Sequence, residues 1–69
     1  MTLWTLTGFS DAMRCEVDET CGGCTLRLHM GDKAILFEQW PSAEQARARA
    51  AVLRARLLVI GWVDPVLAD

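Results

Sequence analysis

The chain is poor in the features that mark exported, membrane or metal-rich proteins. Its 69 residues include two prolines, one histidine and three cysteines. The apolar run at 57–60 is far shorter than the ~20 residues needed to span a bilayer. No basic residue precedes the apolar part of the opening MTLWTLTGFS, so it does not read as a secretory signal. An odd number of cysteines leaves at least one unpaired in a monomer, which favours a reducing compartment without structural disulfides. The expectation is a soluble, unprocessed, cytoplasmic protein. So short a chain also excludes a large catalytic cleft and is read as a single domain, residues 1–69, with a small core and no linker or internal repeat.

What is present is globular in character: 52% hydrophobic and 23% charged residues, well away from disordered composition. The formal net charge is −2, unevenly distributed. Residues 42–60 carry four arginines and one glutamate, leaving three basic and eight acidic residues elsewhere. A basic element therefore sits on an acidic body.

Alternation of apolar and polar residues predicts strands, and glycine marks their turns. A turn at Gly22 and Gly23 sets Cys21 against Cys24, Asp18 against Arg27, Val17 against Leu28 and Glu16 against His29. A second turn at Gly31 and Asp32 sets Leu28 against Ile35, Leu26 against Phe37 and Thr25 against Glu38. Cys15, Val17, Leu26, Leu28, Met30, Ile35 and Phe37 then share one apolar face. Trp4 and Leu6 of an N-terminal strand join it after a loop at 8–11.

That face needs a cover. "PSAEQARARAAVLRARLLVIGW" supplies one: Pro41, a Ser42 N-cap with Gln45 completing a capping-box pattern, and Gly61 as the stop. Ala46, Ala50, Leu53, Leu57 and Ile60 recur at helical spacing, and Trp62 is placed to fold back on Leu57 in a Schellman ending. The predicted fold class is α+β: a four-stranded antiparallel meander covered on one face by a single C-terminal helix, ββββα. Leu26, Leu28, Phe37, Leu53 and Leu57 are expected at the core's centre.

Trp4, Arg14, Cys15, Val17, Leu26, Leu28, Ser42, Leu53, Arg54, Leu57, Gly61 and Trp62 together give an opening Trp strand, a strand like "RCEV", a hairpin and an Ala/Arg-rich helix ending in Gly-Trp. In these the chain resembles small stand-alone bacterial domains of unknown function. The resemblance implies a fold and no activity.

The stretch "CGGC", Cys21 to Cys24, has the look of a chemical site. Cys21, Cys24 and His29 match the start of a zinc-knuckle spacing, but position 34, where a fourth ligand would stand, is alanine. Cys15 lies six residues before Cys21, roughly 20 Å along an extended strand, and His29 points to the face opposite Cys24. A redox pair normally draws its low thiol pKa from a following helix, whereas strand flanks this pair on both sides. The bland reading is two glycines turning between small thiols, with Cys21 and Cys24 accessible and Cys15 not. The alternative is a metal or thiol-redox site at Cys21 and Cys24, with zinc shared between the hairpin tips of two subunits.

Other residues have simple roles in this scheme. His29 pairs across the strands with Glu16 and has no nucleophile to activate. The three tryptophans pack, and no exposed aromatic platform accompanies the helix arginines, which divide between two flanks: Arg47 with Arg54, Arg49 with Arg56. Nucleic-acid and membrane partners are therefore not expected, and neither is enzyme activity. The most informative pattern is a second apolar strip on the helix, Ala48, Val52, Ala55 and Val59, about 150° from the core stripe. It predicts a non-enzymatic interaction module, a homo-oligomer and most simply a dimer, joined through that strip, with flanking arginines reaching a neighbour's acids.

Overall fold

Three tight turns make the meander. The computed structural model describes residues 1–65. Strand β1 (Thr2–Gly8) turns through Phe9 and Ser10 into β2 (Asp11–Thr20); β2 turns through Cys21 and Gly22 into β3 (Gly23–Met30); β3 turns through Gly31 and Asp32 into β4 (Lys33–Trp40). The sheet is antiparallel, in the order β1-β2-β3-β4, and among the described residues one helix, α1 (Ala43–Ile60), follows. This is the ββββα fold the sequence predicts.

Each turn has its own chemistry. Gly31, with φ 63°, opens the β3–β4 turn as a first central glycine does in a two-residue hairpin. In the β2–β3 turn only Gly22 is left-handed, φ 91°, because the turn is made by Cys21 and Gly22 and not by the two glycines. Gly23 instead begins β3, and there a Cβ would stand 2.9 Å from the carbonyl oxygen of Trp40. The β1–β2 turn has no central glycine: Phe9 and Ser10 take φ of 52° and 63°, unusual for such residues. Phe9 is held there by packing edge-on to Trp62, with ring centroids 5.3 Å apart.

Starting the second hairpin one residue earlier changes its partners without changing its faces. Asp18 lies opposite Thr25, Glu16 opposite Arg27 and Cys15 opposite Leu28. Each β2 residue meets the β3 residue two places before the expected one, an even shift, so the inner residues stay inner. The β3–β4 pairing behaves differently. Met30 opposes Lys33 and His29 opposes Ala34 as the turn requires, but Leu28 then opposes Leu36, leaving Ile35 as a bulge. From there the expected faces are exchanged. Leu36, Glu38 and Trp40 share the helix side with Leu28, Leu26 and Cys24, whereas Phe37, opposite Arg27, looks outward and is 62% exposed. The expectation that Ile35 and Phe37 belong to the core is thereby corrected.

The core joins Leu6, Met13, Cys15, Val17, Cys24, Leu26 and Leu28 of the sheet to Ala46 and Ala50 of the helix and to Trp62. Leu53 and Leu57 are only partly buried against it. Alanine at the closest helix positions lets the backbone approach the sheet, and Trp4 Nε1 donates to the carbonyl of Ala50 at 3.2 Å. Ile60, expected on this stripe, is exposed, since Trp62 is buried at that end against Gly8. Ser42 caps the helix by accepting from the Gln45 amide at 3.2 Å, and its hydroxyl in turn reaches Gln45 Oε1 at 3.3 Å. At the other end the Trp62 amide donates to the Leu57 carbonyl at 3.0 Å, the long bond of a Schellman ending. The chain then runs alongside β1, where Thr7 and Val63 exchange two backbone hydrogen bonds of 2.8 Å.

Candidate functional site

Three regions carry polar or exposed apolar groups, and the fold separates them. At the hairpin tip, Cys21 is exposed in the turn. Cys24, expected to be accessible, is 2% exposed, because its position in β3 shares the helix side with Leu26 and Leu28. The tip and the Trp40–Pro41 corner flank an open cleft of about 450 Å³, lined by Cys21, Gly22, Gly23 and Gln39 among others. Cys15 is fully buried, and burial, with the charge of neighbouring Glu16, pushes its thiol pKa up to about 11. His29 stands in register with Arg14 on the outer face. No group of three or more metal-ligating side chains is gathered among the described residues.

The outer sheet face is a mesh of charge. Glu16 Oε1 lies 3.2 Å from Arg14 Nε and 3.1 Å from His29 Nε2, and Asp18 pairs with Arg27. The two cross-strand pairs expected from sequence, Glu16 with His29 and Asp18 with Arg27, therefore form, but diagonally, as the shifted turn dictates. His29 Nε2 is buried and makes no directed hydrogen bond, so its contact with Glu16 is one of proximity. The thiols occupy the opposite face or the turn, and hence none stands beside this imidazole to be activated.

Each flank of the helix engages one of its two arginines within the chain. Arg49 donates from Nε and Nη2 to the two carboxylate oxygens of Glu38, at 3.2 and 3.3 Å, and Trp40 Nε1 adds a third bond at 3.0 Å. The hydrogen bonds from Arg49, with that of Trp40 assisting, hold the Glu38 carboxyl below its ordinary range against the opposing effect of burial. Arg54 reaches Asp64 at 2.7 Å. Sequence reasoning left these two arginines for a neighbouring molecule. Both are engaged within the chain through contacts that depend on how the helix and the segment after it dock. Arg47 and Arg56 make no hydrogen bond or ion pair among the described residues.

Between those flanks, Ala48, Val52, Ala55 and Val59 are all exposed, Val52 by 46% and Val59 by 87%. Ala55, Arg56, Val59 and Ile60 border a shallow, open apolar dish near the helix end. The helix thus has an apolar inner side against the sheet and an apolar outer side facing solvent. Comparison of the chain with protein-family models, with curated proteins and with solved structures gives no match. No helix is long and apolar enough to cross a membrane among the described residues.

Proposed function

We propose that the chain is a small non-enzymatic interaction module that self-associates through the outer side of α1. One observation carries the reading: the side of the helix that a lone cover helix would fill with charge instead exposes Val52 and Val59, with Ala48 and Ala55 in the same strip. The non-enzymatic part is supported by the separation of the thiols from His29 across the sheet. An 18-residue helix is about 27 Å long, so a face-to-face pair covers only a few hundred Å² per protomer, below the ~800 Å² of a standard interface. That size fits a reversible, micromolar dimer.

The test is sedimentation of the wild type and of Val52→Glu with Val59→Glu from ten to several hundred micromolar. The wild type is expected to gain mass with concentration and the double variant to stay a folded monomer. A wild type that remains monomeric throughout, or a folded double variant that keeps the larger mass, refutes the reading.

A further inference from the structure

We infer that the segment after the helix, Trp62 to Asp64, is an autoinhibitory strap: it closes the β1 edge of the sheet, which without it would pair with the β1 of a second copy. This edge is distinct from the outer side of α1.

An open sheet has two edges, and each presents unpaired backbone groups that another strand can join. The β4 edge is protected by its own sequence. Lys33 and Glu38 place charge on it, and the bulge at Ile35 interrupts its backbone. β1 has neither charge nor proline from Thr2 to Gly8, and its run TLWTLT is dominated by β-branched, aromatic and leucine side chains, the composition of a self-pairing strand. Its register is irregular between Thr2 and Trp4 but regular from Trp4 to Gly8, so an ordered edge is left to be covered.

Val63 covers part of it. Two backbone hydrogen bonds of 2.8 Å join Val63 and Thr7, so the outward amide and carbonyl of Thr7 are taken. Thr5, two residues back, turns its amide and carbonyl the same way and makes no backbone hydrogen bond on that side among the described residues. An antiparallel pair centred on Thr5 sets it against the partner's Thr5, Trp4 against the partner's Leu6 and Thr7 against the partner's Leu3. Hydroxyl then meets hydroxyl, apolar meets apolar, and no like charges oppose. Val63 stands where the partner's Leu3 would lie, so strap and partner compete for the same backbone groups. Side chains hold the strap in place: Trp62 is buried against Gly8 and touches the edge of Phe9, and Arg54 Nη2 reaches Asp64 Oδ2 at 2.7 Å.

Thr5→Cys in a Cys21→Ser background reports the pairing directly. The two remaining native thiols are buried, and opposed residues of an antiparallel pair stand about 5.5 Å apart at Cα, within disulfide reach. Oxidation is followed with the strap intact, with Val63→Pro, which removes the amide that bonds Thr7, and with Arg54→Gln, which removes the ion pair and keeps the backbone bonds. The proline variant is expected to give roughly tenfold more cross-linked dimer than the intact strap, and Arg54→Gln a smaller gain. Circular dichroism establishes that each variant is folded; if Val63→Pro is not, the partly exposed Arg54→Gln decides. Folded variants that cross-link no more than the intact chain overturn the strap, and so does equally fast cross-linking with the strap in place. Adding Val52→Glu with Val59→Glu should leave the yields unchanged. A cross-link that vanishes with those two changes would come from association through α1 and would overturn the pairing of β1, whatever the fate of the helix interface.

Discussion

Leu26 and Phe37 face each other across β3 and β4 if the strands pair without interruption, and the bulge at Ile35 sends them to opposite sides of the sheet. Truncating each to alanine separates the two arrangements. Leu26 is fully buried, so Leu26→Ala loses the transfer energy of its side chain and opens a cavity in a core of few large residues, a cost of about 3 kcal/mol within a usual span of ~2–5. Phe37 is 62% exposed, leaving little more than a third of it covered; the same fraction of the ~3–5 kcal/mol for a buried Phe→Ala is about 1–2 kcal/mol. A chain of 69 residues has a total stability of about 3–10 kcal/mol. Leu26→Ala should therefore lower the urea midpoint severely, by more than 1 M for a domain with an m-value of about 1–2 kcal/mol/M. Phe37→Ala should move it by only about half as much, at unchanged m. Equal losses, or the larger loss at Phe37, would refute the bulge and the face assignment built on it.

Two further outcomes concern the buried thiols and the helix–sheet ion pair. Native alkylation should modify Cys21 quickly and Cys24 and Cys15 slowly, with Cys15 still slow at pH 9.5 because burial holds its thiol pKa up at about 11; mass mapping that found Cys24 labelled as fast as Cys21 would contradict its inward placement. Glu38 has a carboxyl pKa lowered by folding, so its contribution to stability is present above the ordinary carboxylate value and is lost as pH falls through the lower folded value. Glu38→Gln should flatten that part of the acid limb in urea titrations, and an unchanged acid limb would show that the Arg49–Glu38 pair is not maintained in solution.

The strands, their order and the helix caps were legible because each rests on local chemistry: alternation of apolar residues, glycine at turns, Ser42 before the helix and Gly61 after it. The hairpin at CGGC was misplaced by one residue at its turn, an error that preserves faces, which is why the right residues of β2 and β3 still reached the core. The bulge left no such trace. Ile35, Leu36 and Phe37 are three consecutive apolar residues, and in that run the alternation that would reveal which two point outward is absent. The β1–β2 turn was equally hidden, since Phe9 and Ser10 adopt left-handed conformations that their side chains do not favour and that the Phe9–Trp62 contact helps hold. The pairings of Arg49 with Glu38 and Arg54 with Asp64 depend on how α1 and the chain after it dock, which helical periodicity does not encode. The apolar strip on α1, by contrast, was legible as a spacing and is exposed as expected.

The meander also sets the order of difficulty in folding. Every strand pairing in the sheet closes around a two-residue turn, so each is made at nearly the least loop-closure entropy the chain permits. The contacts that seal the core are of the other kind: Trp4 reaches 46 residues along the chain to Ala50, and Thr7 reaches 56 to Val63. Contact order is thus low within the sheet and high between the sheet and the C-terminal part of the chain. During synthesis the whole meander is available before the helix that covers it, and for that interval its inner face, with Leu6, Val17, Leu26 and Leu28, is held together by neighbouring strands alone.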